Sequence, residues 1–255
     1  ETLSELETAL ENAGQQGGVQ VIVVPVNLRE RVLAAVPTTG EAPAPETAEL
    51  ADVEIDDAPL DTWLTERDGQ GLAVVVTGNG APGRGDASAL AVVDKQRRGI
   101  HKELAELTPA EDSALKAWAE SEDPKYLHDA KTVFHMLKGR GITLRGIAHD
   151  TAIAAYLLRP GQRTYELSDV YQRHLQRQLN LGGDQLSLLG DTSLVDAAAA
   201  VLELAEELST QLRGIDSYDL YADLELPLVS ILAEMEHAGI AVDVDVLEGQ
   251  LKDFT

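Results

Sequence analysis

The chain has 255 residues, enough for one large domain or for one domain with a small appendage. It holds no cysteine, which excludes a disulfide framework and any thiolate metal site. With 44 acidic residues against 20 basic ones the net charge is −24, a poor basis for tight binding to a phosphate backbone by this chain alone.

Aromatic residues make up only 4% of the chain, so alanine and aliphatic side chains must fill its core. No run of about eighteen apolar residues marks a membrane span. Glu1 to Glu5 lack the basic start of a signal peptide, so a cytoplasmic protein is expected.

In chain order, Leu3, Leu6 and Leu10 stand at helical spacing before a glycine-broken loop at 14–18. Residues 19–26 read as a strand, with Asn27 placed to cap a short helix. The segment 1–36 is thus a separate N-terminal piece. Residues 37–59, rich in Pro, Ala, Thr and acid, bury too little apolar surface to order themselves and read as a linker.

An α/β pattern follows. Residues 72–77 form a β-branched run, expected as a strand buried on both faces, and 78–85 turn the chain into a paired strand at 88–94. A helix is expected over 109–120, with Pro109 in its first turn. A short strand at 125–127 leads to a helix over 129–138, closed by Gly139. Residues 146–148 read as a strand, and Asp150 caps a helix running to Leu158. In the last third, Leu194, Ala198, Val201, Ala205, Leu208 and Leu212 draw one apolar stripe, and Leu220, Leu224, Leu228, Ile231 and Met235 a second, stopped by Gly239. The sum is a mixed sheet flanked by helices. With no long apolar stripe expected on the surface, the chain reads as a monomer.

Few chemical motifs survive inspection. The glycines at 78–85 follow a strand but lead into no helix pattern and no Gly-Lys-Ser/Thr, so a hairpin is the reading, not a phosphate cradle. The histidines, at 101, 128, 135, 149, 174 and 237, show no zinc-type spacing and are expected at the surface or at caps. Glu203, Glu206 and Glu207 fit a solvated helix face.

One stretch says more. Leu144, Arg145 and Gly146, then His149, Asp150 and Thr151, and on to Tyr156, Leu157 and Leu158, strongly resemble a strand–helix segment of the 3′–5′ exonuclease domain of bacterial DNA polymerase I. Arg159-Pro160-Gly161-Gln162-Arg163 with Leu167 and Tyr171 resemble its actinobacterial form. Glu225-Leu226-Pro227-Leu228, followed by Glu234-Met235-Glu236-His237-Ala238-Gly239, resemble the opening helix of that family's polymerase domain.

The resemblance implies a ribonuclease H-like α/β fold over 60–214 and a helical start of a polymerase domain at 215–255. Active members hold two divalent metals on carboxylates, and the metals activate water for phosphodiester hydrolysis. Matched to the family's acidic motifs, this sequence places Val75, Thr77 and Val133 at three metal-binding positions and Ala199 at the fourth, with Asp196 nearby.

The implied function is therefore a degenerate, catalytically inactive scaffold within a polymerase of DNA replication and repair. The parent would bind DNA and use magnesium, and this chain alone would carry no cofactor. Two alternatives stand beside it. One is a relocated nuclease site drawn from Asp94, Asp129, Asp150 or Asp196. The other is a weak single-strand docking stripe of Arg159, Arg163, Arg173 and Arg177.

Overall fold

A computed structural model describes residues 53–179 and 191–254. The helix, strand and cap expected within residues 1–36, and most of the 37–59 linker, lie outside the described residues.

The linker's last residues correct the composition-based reading. Glu54–Ile55 (β1) pair in parallel with Arg98 and Gly99 of a later strand. Glu54 N–H donates to the Arg97 carbonyl at 2.9 Å, and Asp56 N–H to the Gly99 carbonyl at 2.8 Å. Backbone hydrogen bonds hold this segment, with Val53 packed against the core beside it, and it covers what would otherwise be an open sheet edge.

The helix Leu60–Thr65 (α1) follows, then the strands Leu72–Asn79 (β2), Asp86–Val93 (β3) and Arg98–Glu103 (β4). Next come Pro109–Ala119 (α2), Lys125–Leu127 (β5), Ala130–Gly139 (α3), Ile147–Asp150 (β6), Thr151–Leu158 (α4) and Leu167–Leu175 (α5). Asp191–Gly214 (α6) leads through Tyr218–Leu220 (α7) and a π-helical turn, Tyr221–Glu225, into Leu226–Ala238 (α8) and Val244–Asp253 (α9).

The strands form one mixed sheet in the order β1-β4-β3-β2-β5-β6. β2 pairs antiparallel with β3 and parallel with β5, so the valine run lies at the centre. Its alternation splits the core. Leu72, Val74 and Val76 join Leu60, Trp63 and Phe134 on one face. Ala73 and Val75 join Ala89, Ala91 and the α6 residues Ala197, Ala198 and Ala200 on the other. Alanines on both sides of that contact let α6 lie close to the sheet, which is how a core poor in aromatics closes.

The stretch at 78–85 is indeed a hairpin, and its Gly85 and the facing Gly139 of α3 are both indispensable. A Cβ on Gly85 would stand 1.8 Å from the His135 carbonyl oxygen, and one on Gly139 would stand 1.7 Å from that of Gly85. The hairpin backbone thus lies directly on the last turn of α3. Gly139 is the last residue of that helix rather than the stop beyond it.

The two stripes expected in the last third differ in fate. Leu194, Ala198, Val201, Ala205, Leu208 and Leu212 are all buried under the sheet. In the second stripe Leu220, Leu224, Ile231 and Met235 face outward, while Tyr221, Leu226, Val229 and Ala233 make the inner contacts. Ile240, Val244, Leu251 and Phe254 continue the exposed apolar surface onto α9. An exposed stripe exists after all, so the reason for expecting a monomer falls.

Candidate functional site

Two of the four degenerate positions meet in one cleft. Val75, on the central strand, and Val133, in the first turns of α3, line a cavity of about 430 Å³ together with Val76, Met136 and Leu167. Its mouth carries His128, Asp129, Thr132, Tyr165 and Glu166. No sequence signal pointed to this rim, because it joins residues 128–132 to a loop more than thirty residues later, and neither segment is periodic.

The rim is built from helix starts. Asp129 adopts a left-handed φ of 52° and caps α3, its carboxylate accepting the Thr132 hydroxyl at 2.6 Å. His128 Nδ1 lies 2.7 Å from the Thr151 hydroxyl. Burial pushes the His128 imidazole below its ordinary value, against the pull of Asp129 and Glu166.

Asp150 lies just behind the rim as a double cap. Its carboxylate accepts from Ala130 N–H at 2.7 Å and Asp129 N–H at 3.3 Å at the start of α3, and from Ala152 N–H at 2.9 Å and Ile153 N–H at 3.2 Å at the start of α4. Its burial pushes the carboxyl up to about 6, although the backbone donors oppose the rise. The capping role expected of Asp150 holds, and extends to a second helix.

Thr77 follows Val75 on the same face of β2, and its hydroxyl lies 3.1 Å from that of Ser88. Ala199 is not among the cleft's lining residues. It lines a separate cavity of about 140 Å³ with Val93, Lys95, Arg97, Leu202, Glu203 and Glu206. The structure therefore does not bring the fourth matched position to the cleft.

The relocated-site residues are also dispersed. Asp94 is fully buried and accepts from Arg67 Nε at 2.9 Å and Arg98 Nε at 3.1 Å, with the Gln96 and Arg98 N–H groups on its other oxygen. Only Asp129 of that set lines the cleft. Among the described residues, no three His, Asp or Glu side chains gather in a group that could hold a metal ion.

Other polar expectations change as well. Glu203 is not a solvated face residue, because Arg97, Arg177 and Tyr171 converge on its carboxylate; Arg177 Nη2 and the Tyr171 hydroxyl each approach to 2.6 Å. Desolvation pushes the Tyr171 phenol upward, and its bond to Glu203 adds to the rise. With Arg177 engaged there and Arg173 donating to the Thr164 carbonyl at 3.3 Å, two members of the arginine stripe are turned to internal partners. His135 and His149, expected at the surface or at caps, are both buried. His135 Nε2 meets Glu236 of α8 at 2.9 Å, and burial pushes His149 down to about 3.

The fold is ribonuclease H-like, the fold of 3′–5′ exonucleases, with this cleft at the end of its central strands. Two solved structures of Brucella melitensis NrnC, one described as carrying bound Mg2+, share the fold at 14% identity, with a TM-score of 0.55 over 73% of this chain and 93% of theirs.

Closer likeness narrows the class. Residues 85–182 match the family "DNA polymerase I, ribonuclease H-like domain". The chain is 41% identical over 238 residues to DNA polymerase I of Mycobacterium leprae (strain TN), covering 86% of this chain and 26% of the relative. A structure described as the POL domain of Pol1 from M. smegmatis, in complex with DNA primer-template and dNTP, superposes with a TM-score of 0.72 at 41% identity, covering 79% of this chain and 35% of that one. The chain is thus similar to DNA polymerase I, most specifically over residues 85–182, and spans about a quarter of the length of the curated relatives it matches. Among the described residues no helix is long and apolar enough to cross a membrane.

Proposed function

We propose that this domain is a catalytically silent exonuclease-like scaffold of a DNA polymerase acting in DNA replication and repair. The observation that carries the reading is the floor of the cleft. Val75 and Val133 stand where the family's resemblance puts metal-binding carboxylates, and the floor they share with Val76, Met136 and Leu167 is aliphatic. Hard divalent cations need several oxygen ligands, and this cleft does not fit a two-metal centre. The rim offers only two carboxylates, Asp129, which already caps α3, and Glu166, and Asp94 and Asp150 spend their oxygens on internal donors.

The scaffold role draws on the join to the C-terminal helices. Val229 and Ala233 of α8 are buried in the core that α3 shares with the sheet. Around them Lys131 and His135 meet Glu236 at 2.8 and 2.9 Å, and Lys138 meets Glu234 at 3.2 Å. α3, on which the resemblance places one of the family's metal-binding positions at Val133, thus also seats the helix that resembles the family's opening polymerase helix. Template-directed nucleotidyl transfer, the magnesium it needs and tight DNA binding belong to the parent polymerase, and this acidic chain alone binds DNA weakly or not at all.

Single-turnover digestion of a single-stranded oligonucleotide from its 3′ end, with magnesium and then manganese, tests the reading. No shortening is expected at high protein excess. Metal-dependent shortening that disappears in Asp129→Asn would overturn it.

A further inference from the structure

The cleft has lost its metal-binding chemistry but not its volume, and about 430 Å³ lies within the range of small-molecule sites. Its floor is aliphatic, and the fixed charges among its described lining residues are the carboxylates of Asp129 and Glu166, with no lysine or arginine among them. His128 contributes no cation near neutral pH, because burial holds its imidazole below the ordinary value. Both carboxylates lie close enough to act on that ring, so both stand at the same mouth.

From this geometry we propose that the cleft is a binding site for a small organic cation: an apolar body seated on Val75, Val133 and Met136, with an ammonium group at Asp129 and Glu166. The charge pattern disfavours phosphates and carboxylates at the same mouth, since an anion would approach two like charges with no compensating base. An uncharged apolar ligand would fill the floor but leave the rim unused. This goes beyond the scaffold reading and rests only on its aliphatic floor.

The chain's two methionines supply an internal control. Met136 borders the cleft, and Met235 is 63% exposed on the outer face of α8. With methyl-labelled methionine in the full chain, assigned by Met235→Leu, phenethylammonium is the probe and phenylacetate its anionic counterpart of similar shape. Phenethylammonium should shift the Met136 methyl saturably while Met235 stays in place, and phenylacetate at equal concentration should leave both unmoved.

The double variant Asp129→Asn, Glu166→Gln should weaken the response about fivefold, because two exposed ion pairs are removed. Asn retains the cap and tolerates the left-handed backbone at 129, and Glu166 makes no side-chain cap bond, so folding is preserved. Val133→Phe should abolish the response by filling the floor. The proposal is overturned if Met136 does not move, if both probes act equally, or if Met235 moves in step with Met136. None of these outcomes depends on the nuclease assay, so the two readings can fail separately.

Discussion

The α6 stripe and the α8 stripe are built alike in sequence and end in opposite environments. Leu204, Leu208 and Leu212 are completely buried against the sheet, whereas Leu224, Ile231 and Met235, at equivalent helical spacing, are more than half exposed. Periodicity fixes which residues share a face; it does not say what will cover that face. For α8 the cover within this chain lies on the other side, where the small Ala233 and the branched Val229 fit into the core beside α3.

The comparison can be broken most forcefully from the α6 side. Leu208→Ala should cost about 2–5 kcal/mol in urea unfolding, because it leaves a cavity in a packed interface. At the join between the regions, Tyr221→Phe should cost about 1–3 kcal/mol. The Tyr221 hydroxyl accepts from the Asp150 N–H at 2.6 Å and donates to the Asp150 carbonyl at 3.2 Å, so its removal strands two buried backbone groups. A loss well under 1 kcal/mol would mean that water reaches this junction.

Acid should act on the sheet domain and also on the α8 join, where Lys131 and then His135 hold the Glu236 carboxyl below its ordinary value. The N–H of Leu60, then the N–H and hydroxyl of Thr108, hold the Glu111 carboxyl down to about 2, below its ordinary 4.5. A depressed carboxylate stabilises the fold above its unfolded value and loses that contribution as pH falls toward the folded one. Melting temperature should therefore decline between about pH 4.5 and pH 2 in a way that Glu111→Gln, already weaker at neutral pH, does not reproduce. The smallest effect is expected from Ile231→Ala on the outer face of α8, within about 0.5 kcal/mol. A larger loss that grows with protein concentration would show that copies of the chain cover that face in solution.

Much of the sheet domain was legible because its strands and caps carry local signals. The valine run of β2, the hairpin glycines, Pro109 at the start of α2 and Asp150 at the start of α4 each act within a few residues. Three pieces were not. β1 is held by backbone bonds to β4, which composition cannot reveal. β4 reads Arg-Gly-Ile-His-Lys-Glu and becomes a strand through its pairing with β3. α1 has only six residues, and its first N–H is bound by Glu111 at 3.0 Å, 51 positions away.

At the site, resemblance supplied Val75 and Val133, which do share a cleft. It could not fix a register through the alanine-rich start of α6, where neighbouring positions are chemically alike, and Ala199 lies elsewhere. Nor could it foresee that Glu203 would gather two arginines and a tyrosine from two distant segments, the β3–β4 turn and the α5 region.

The bond between Tyr221 and Asp150 also ties the C-terminal helices to the register of the sheet. It spans 71 positions of chain, and its target is presented only when β6 is paired and the starts of α3 and α4 have both settled on the Asp150 carboxylate. A β6 shifted by one residue would present the wrong backbone groups to the phenol, so the seat of the C-terminal helices is matched to one register of the sheet.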